Sequence, residues 1–325
     1  NTEINPMMKK LLLTALSFFL FSLQLLFSQS NIPAPQPFLP DIISQFPNVR
    51  DLAISPQENE LYFTAQSYLG ELSALVRCTS KNGVWSKLEV ASFSGKYQDL
   101  EPFFAPDGLR LFFVSNRPTD PQSTEAKDFD IWYIERKDVK SEWSAPINVG
   151  EPINTEGNEF YPSVSKFNTL YFTNDGIKST GKDDIFMSKL VNGKYEAPLP
   201  VSDSVNSTGY EFNGFISPDE SFLLYTCYNK KGGYGSGDLY ISYNKGNGQW
   251  TSPLNLGYQI NSTMMDYCPF VNVHTGVLYF TSKRSSVLKQ TENTFDTKGF
   301  LKEANKYENG LSRIYQVNVS SFLKK

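Results

Sequence analysis

The sequence has few of the residues on which many enzymes and metal proteins depend. It contains one histidine, His274, and three widely separated cysteines, Cys78, Cys227 and Cys268. Three cysteines are too few for a disulfide framework, and their odd number leaves at least one free thiol, which we expect to be buried. His274 has no serine or cysteine partner in a recognisable motif, and no zinc-type ligand spacing occurs. The composition therefore gives no support to a histidine-dependent nucleophile or a structural zinc site.

Three further classes of function also lack a sequence signal. No Gly-x-Ser-x-Gly motif is present, which argues against an attached α/β-hydrolase domain. The glycine-rich residues 232–237 lack the strand–helix context of a phosphate-binding loop. With 30 Lys and Arg against 34 Asp and Glu, the chain has no basic excess for binding nucleic acid. We expect no cofactor. Ca²⁺ is compatible with the composition, but no motif indicates it.

A long hydrophobic run occurs only near the N-terminus. Residues 11–27 carry no charge, follow the basic segment 7–10 and precede the small residues 28–30. This order predicts a secretory signal over residues 1–30. Residues 1–6 precede the first methionine, and we expect them to lie before the true start of translation. The alternative is an uncleaved membrane anchor. The signal predicts a periplasmic, secreted or cell-surface protein with no transmembrane segment after cleavage.

The remaining sequence, residues 31–325, is internally repeated. A strand core with the pattern Leu-aromatic-aromatic-Thr, or a close variant, recurs at intervals of about 50 to 60 residues. The five cores begin at Leu61, Leu111, Leu170, Leu223 and Leu278. Each is preceded by a shorter strand and a turn and followed by a third strand, and most third strands lead to a fourth. Asn-Gly pairs at 82–83, 192–193 and 247–248 predict tight hairpins between third and fourth strands.

Four antiparallel strands at this period predict one blade of a β-propeller. The second strands are apolar on consecutive residues, as expected when neighbouring blades cover both faces of each sheet. We expect an all-β, five-bladed propeller with repeats at about 45–95, 96–155, 156–207, 208–262 and 263–325. The fifth repeat lacks its fourth strand, and residues 36–39 are expected to supply it and close the ring. Six blades are the alternative.

The best-preserved repeat resembles a known family. Its pattern combines Asp99-Leu100-Glu101-Pro102, Pro106-Asp107-Gly108, Ser115-Asn116-Arg117, Asp130-Ile131-Trp132 and Trp143-Ser144-Ala145-Pro146. It is similar to the WD-type repeat of TolB-like propellers, and copies of it cover about residues 50–320. The resemblance implies a periplasmic or surface propeller of a Gram-negative bacterium. It says little about activity, because propellers host many unrelated functions.

Topology predicts one working face. The loops from second to third strands and from fourth to next first strands share one side, and long segments of the first kind are residues 117–129, 175–183, 228–237 and 283–312. We call this side the loop face. Structureless loops of such length are usually functional or disordered.

Polar residues recur near the loop face. Carboxylates begin the first strands at Asp99, Glu159, Glu211 and Asp266, with Glu101 close to the first of them, and asparagines lie just upstream at Asn154, Asn206 and Asn261. These eight residues are our candidate binding residues, because they could converge on the central channel and bind a cation, an amine or sugar hydroxyls. The alternative, which we favour, is that they cap turns through local hydrogen bonds.

These observations favour a binding module, expected to be monomeric, that recognises an envelope protein, a glycan or peptidoglycan through the loop face. The competing hypothesis is a propeller glycosidase of the arabinanase or xylosidase type. Its two carboxylates would come from Asp51, Asp99, Glu101, Glu159 and Glu211 and would lie about 5–10 Å apart. Most of these residues obey the repeat, whereas catalytic carboxylates should break it, so no catalytic residue is assigned.

Overall fold

Five small antiparallel sheets form a ring in the computed structural model, which describes residues 32–176, 182–288 and 294–323. Before the first sheet, the chain forms strand β1 (Gln36–Pro37) and helix α1 (Pro40–Ile43). Blade 1 contains β2 (Asn48–Ile54), β3 (Glu60–Gln66), β4 (Ser73–Lys81), β5 (Val84–Trp85) and β6 (Glu89–Val90). Blade 2 contains β7 (Asp99–Phe104), β8 (Arg110–Ser115), β9 (Asp130–Glu135) and β10 (Ile147–Asn148).

The last three blades follow the same order. Blade 3 contains β11 (Glu159–Val164), β12 (Thr169–Asn174), β13 (Asp184–Val191), β14 (Lys194–Tyr195) and β15 (Leu199–Pro200). Blade 4 contains β16 (Tyr210–Ile216), β17 (Phe222–Tyr228), β18 (Gly237–Gly246), β19 (Gln249–Trp250) and β20 (Leu254–Asn255). Blade 5 contains β21 (Asp266–Asn272), β22 (Val277–Ser282) and β23 (Arg313–Asn318), with helices α2 (Thr297–Ala304) and α3 (Ser320–Leu323) outside its sheet. The prediction of a five-bladed propeller is confirmed.

The ring closes through the N-terminal segment, as the sequence predicted. Strand β1 pairs antiparallel with β23, where Gln36 lies opposite Gln316 and Pro37 opposite Tyr315. The next amide, that of Phe38, donates to the Ile314 carbonyl over 3.0 Å. Phe38 is buried, and its ring centroid lies 5.0 Å from that of Tyr279. These contacts cover the edge of the last sheet with the start of the described chain.

Packing between neighbouring blades explains the apolar second strands. In blade 2, β8 buries Leu111 and Phe113 against Tyr62 of blade 1, in one cluster with Trp132 of β9. Phe112 lies in a different cluster, towards blade 3. Consecutive side chains of one strand therefore enter opposite blade interfaces, which is why the expected alternation of polar and apolar residues is missing. The cysteines Cys78, Cys227 and Cys268 are all free and buried.

The first strands lie next to one another around the axis, and each contains a β-bulge. One residue in each bulge has a left-handed backbone, with φ between 52 and 56°. The five bulge residues are Asp51, Glu101, Tyr161, Asn213 and Cys268. None is glycine, so each backbone carries strain that the surrounding contacts must offset.

Threonines of the preceding blade hold three of these bulges. The bulge amides of Asp51, Glu101 and Asn213 donate to the hydroxyls of Thr281, Thr64 and Thr173 over 3.3, 3.0 and 3.1 Å, respectively. Each threonine lies near the end of a second strand. Blade 2 has Val114 at this position, and the amide of Tyr161 donates instead to the Glu101 carboxylate over 2.6 Å. The bulges therefore place five different side chains at equivalent positions around the axis.

The Asn-Gly turns have the backbone that the sequence predicted, and the long loop of blade 5 contains a short helix. Both residues of the pairs at 82–83, 192–193 and 247–248 have positive φ, as predicted for tight hairpins. The segment 283–312, which we expected to lack regular structure, contains helix α2, begun by Asp296 accepting from the Gly299 amide over 2.6 Å. Within the described residues, no helix is long and apolar enough to cross a membrane.

Candidate functional site

The carboxylates that begin the first strands are all buried and are held by nearby side chains of their own loops. Asp99 accepts from Arg117 Nη2 over 2.6 Å and from Ser94 Oγ over 2.7 Å. Glu211 pairs with Lys230 over 3.2 Å, and Asp266 pairs with Arg284 over 3.0 Å. Each pair joins the start of a first strand to the loop that follows the second strand of the same blade. The cations thus fix the long loops to the blades.

The hydrogen bonds that the described residues donate to Glu159, the corresponding carboxylate of blade 3, come from neutral groups. Its carboxylate accepts from Thr155 Oγ1 over 2.6 Å, from the Thr155 amide over 3.2 Å and from Asn174 Nδ2 over 2.7 Å. Burial raises the pKa of Glu159 to about 7, against the lowering effect of the Thr155 bonds. Residues 177–181, in the loop that follows the second strand of this blade, lie outside the described part of the chain.

The three candidate asparagines bind backbone groups of third strands. Asn154 accepts from the Ile131 amide and donates to the Ile131 carbonyl, both over 2.9 Å. Asn206 makes the same two bonds to Ile185, and Asn261 makes them to Leu239. Their repeated use within the scaffold is the behaviour expected of the turn-capping alternative. A binding role for the eight candidate residues remains a prediction.

The centre of the loop face is occupied by the bulge residues together with Arg50. Arg50 Nε contacts the Asp51 carboxylate, with its nearest oxygen at 2.8 Å, and Nη2 donates to Glu101 Oε1 over 2.6 Å. The same Nη2 lies 3.4 Å from Cys268 Sγ, and the guanidinium stacks 5.2 Å from the ring centroid of Tyr267. One arginine thus bridges carboxylates from two blades. We call Arg50 and the five bulge residues the axial cluster.

The rest of the axial cluster completes a hydrogen-bonded plug. Cys268 Sγ donates to Asn213 Oδ1 over 3.3 Å, and the Tyr161 hydroxyl donates to the Pro269 carbonyl over 3.0 Å. Asp51 and Glu101 are 1% and 4% exposed, whereas the side chain of Arg50 is 20% exposed. Burial raises the pKa of Glu101, and the positive charge of Arg50 opposes that rise. Burial also raises the pKa of the Cys268 thiol.

Phenylalanines occupy the axis nearer to the opposite face. Phe103, Phe215 and Phe270 each follow a bulge residue by two positions, and Phe215 has ring centroids at 6.2 Å from Phe103 and 5.7 Å from Phe270. The axis therefore changes from a charged network at the loop face to an aromatic contact below it. Both arrangements stabilise the junction of the blades.

Sequence reasoning identified only part of this arrangement. It correctly assigned Asp51 and Glu101 to one equivalent position of the repeat, and Glu101 is the one candidate that the structure brings into the axial cluster. It missed Arg50, Tyr161, Asn213 and Cys268. The signal was present, because Tyr161, Asn213 and Cys268 each follow a repeated carboxylate by two residues, as Glu101 follows Asp99. The other four carboxylates lie beside their own loops rather than in the axial cluster.

The loop face also exposes apolar side chains. Tyr68, Leu69 and Leu72 project from the hairpin between β3 and β4, and Leu69 is 86% exposed. Phe300 and Leu301 of helix α2 are more than half exposed. In the described residues, no group of three or more His, Cys, Asp or Glu side chains has a geometry suited to a metal ion.

Comparison with known proteins identifies the fold alone. No family model matches the sequence, and no curated protein matches it significantly. Among solved structures, one described as a glycoside hydrolase aligns with a TM-score of 0.53 at 9% identity, covering 83% of this chain and 86% of that one. An alpha-L-arabinofuranosidase from Lactobacillus brevis aligns at 0.45 and 14% identity, covering 85% and 93%. TolB from Acinetobacter baumannii aligns at 0.43 and 12% identity, covering 83% of this chain and 54% of TolB. This chain thus spans about half the length of TolB and is a β-propeller with distant structural similarity to TolB and to glycoside hydrolase propellers.

Proposed function

We propose that this protein is a binding module that recognises a protein partner through the loop face. The observation that carries the proposal is the exposed apolar surface formed by the β3–β4 hairpin, with Tyr68, Leu69 and Leu72 all more than 60% exposed. Scattered single apolar residues are normal on protein surfaces, whereas three on one short hairpin are typical of an interaction site. Aliphatic side chains favour a protein over a glycan, because the cores of protein interfaces are apolar.

The hairpin is rigidly joined to blade 5. Asn48 donates to the carbonyls of Ser67 and Tyr68, both over 3.1 Å, and accepts from the Ser312 amide over 3.0 Å. Ser312 ends the long loop that carries α2, whose Phe300 and Leu301 are also exposed. The backbone of the apolar hairpin is therefore linked through Asn48 to the residue that ends this loop. A preordered surface lowers the entropic cost of binding.

The axial cluster supports binding rather than hydrolysis. A glycosidase needs two accessible carboxylates on opposite sides of the scissile bond. Asp51 and Glu101 are instead buried, and both pair with the same arginine, Arg50. If the secretory signal predicted over residues 1–30 directs export, the proposed partner belongs to the periplasm or the cell surface.

A charge placed on the hairpin tests the proposal. Wild-type protein and the variant Leu69→Glu/Leu72→Glu would be cross-linked in envelope extracts and the captured proteins compared. The matched control is Val84→Glu/Val90→Glu, which changes two exposed residues on the outer strands of the same blade. We expect a specific partner to be lost from the hairpin variant and retained by the control, with unchanged melting of both. Identical capture by all three proteins would contradict the proposal.

A propeller glycosidase remains the second candidate, on one observation. The five bulge positions break the repeat symmetry and place two carboxylates from different blades at the axis, one of them Glu101 with a raised pKa. A raised pKa suits a general acid. Release of reducing sugar from arabinan or xylan, abolished by Glu101→Gln, would favour this candidate. The absence of turnover under conditions in which the folded protein binds its partner would exclude it.

A further inference from the structure

A cavity of about 180 Å³ lies on the propeller axis, on the side opposite the loop face. Its lining comes from the ends of the first strands and from the turns that lead to the second strands, and all of it belongs to the described ranges 32–176 and 182–288. Every blade contributes the residue three positions after its bulge residue, namely Ile54, Phe104, Val164, Ile216 and Val271. The cavity is therefore coaxial with the ring. We call it the axial cavity.

Phenylalanines form the inner end of the axial cavity. The residue two positions after the bulge is Phe103, Phe215 or Phe270 in blades 2, 4 and 5, and all three line the cavity. The ring centroid of Phe215 lies 6.2 Å from that of Phe103 and 5.7 Å from that of Phe270. Blades 1 and 3 have the small residues Ala53 and Ser163 at this position. Because two of the five positions are small, the three rings do not fill the axis.

Prolines border the open end of the axial cavity. Pro56, Pro106 and Pro218 are half-buried in the turns of blades 1, 2 and 4, and Val273 takes the equivalent place in blade 5. Val273 and its neighbour His274 are exposed. Proline has a fixed φ and no N–H donor, so these turns form a rim with little conformational freedom and few polar groups.

The chemistry of the lining favours a neutral ligand. Among the described residues, the lining contains no Asp, Glu, Lys or Arg side chain. Ser55 Oγ accepts from the Glu60 amide over 3.0 Å, and Asn272 donates to Glu58 over 2.6 Å, so both polar side chains bond within their own surroundings. His274 is the third polar residue and is exposed. A charged group in the cavity would lose its hydration without gaining a partner, whereas an apolar group gains by leaving water.

The size of the axial cavity limits the ligand to one ring. An apolar cavity of about 150 Å³ is large enough to bind benzene, whereas sites for drug-sized ligands begin at about 300 Å³. At about 180 Å³, the axial cavity accommodates a single six-membered ring with a small substituent. The planes of Phe215 and Phe270 meet at 87°. Aromatic rings attract one another in edge-to-face and offset geometries, so these walls favour an aromatic ligand over an aliphatic one.

We propose that the axial cavity binds a neutral small molecule with one aromatic ring. The ring would lie against Phe215 and Phe270, and a polar substituent would point through the mouth towards His274 and solvent. A free molecule is favoured over a side chain of a bound polypeptide, because the prolines of the rim offer no N–H donors to a polypeptide backbone. The inference goes beyond the proposed function, because it concerns the face opposite the β3–β4 hairpin and does not depend on a protein partner.

Calorimetric titration with matched probes tests the inference. Toluene is the neutral probe, and benzoate and benzylammonium are charged probes of nearly the same size. Toluene should bind with at least about tenfold higher affinity than either ion, because each ion would have to lose its hydration. Nα-acetyl-phenylalanine methylamide represents a side chain of a polypeptide. Equal affinities for toluene and the ions would overturn the inference, as would binding of the blocked phenylalanine alone or no binding of any probe.

Two substitutions in one turn locate the binding. Val273→Trp places a large ring at the mouth and should reduce the affinity for toluene at least about tenfold. The matched control is Thr275→Trp, which adds the same ring to an exposed residue of the same turn outside the cavity lining and should leave the affinity unchanged. Thermal melting of both variants shows whether the fold is retained. Equal toluene binding by wild type and Val273→Trp, or equal loss in both variants, would overturn the inference.

Enlarging the axial cavity gives an independent readout. Phe270→Ala removes one ring from the inner end and should admit naphthalene, which the native cavity is too small to hold. The affinity for naphthalene should therefore rise at least about tenfold over that of wild type. Equal naphthalene binding by the two folded proteins would show that the ligands bind elsewhere and would overturn the inference.

Discussion

Replacing Arg284 with alanine should destabilise the propeller far more than removing an exposed arginine. Asp266 has no exposed surface, and the side chain of Arg284 is 15% exposed. The substitution leaves a buried carboxylate without its cation and removes contacts with two rings and a backbone carbonyl. Breaking one side of a buried ion pair costs about 3–5 kcal/mol of folding free energy. For a domain of this size, that loss corresponds to a fall in melting temperature of about 6–10 °C.

The control is Arg77→Ala, in blade 1. Arg77 contacts Glu89 over 3.7 Å, and the two side chains are 36% and 68% exposed. A pair of this kind contributes less than about 1 kcal/mol. Urea unfolding of wild type, Arg284→Ala and Arg77→Ala would give the free energies directly. Similar losses for both variants would refute the view that the cations of the repeat are structural anchors, because burial would then make no difference.

Three further predictions concern the axis, the blade-3 carboxylate and the ring closure. Arg50→Met should reduce the free energy of unfolding by about 3–5 kcal/mol at pH 8, because Asp51 and Glu101 stay buried. The loss should be smaller at pH 5, where Glu101 can take up a proton, and a loss independent of pH would count against this assignment. Because the folded protein raises the pKa of Glu159 to about 7, protonation of this carboxyl stabilises the fold. The stabilisation is fully present below about pH 4.5 and is lost as the pH rises through about 7, a change in unfolding free energy on the order of 2–3 kcal/mol. Glu159→Gln should flatten that part of the pH–stability curve, and equal slopes for both proteins between pH 4.5 and 7.5 would show that Glu159 does not titrate there. Phe38→Ala should lower the free energy of unfolding by about 3 kcal/mol, because it opens a void beside Tyr279. The control Phe167→Ala removes an exposed ring and should lower it by less than about 0.5 kcal/mol. Equal melting temperatures for these two variants would contradict closure through the N-terminal strand.

The fold was predictable because the same sequence pattern recurs in each blade. The leucine near the start of each second strand fixes the period, and the missing fourth strand of the last repeat implies that another segment of the chain supplies it. Residues 36–39 could be recognised as that segment by their likeness to other fourth strands. Helix α2 was not predictable in this way, because its eight residues span too few turns to show a helical period among variable loop residues.

The candidate site was less predictable because its residues are those that differ from one repeat to the next. The bulge residues have five different side chains and no glycine, so sequence alone does not show their common left-handed backbone. Arg50 looks like an ordinary strand residue until the ring brings it beside Glu101, which lies in another blade. The ion pairs of blades 2 and 5 were not predicted either, because Arg117 and Arg284 each lie 18 residues along the chain from the carboxylate that they contact.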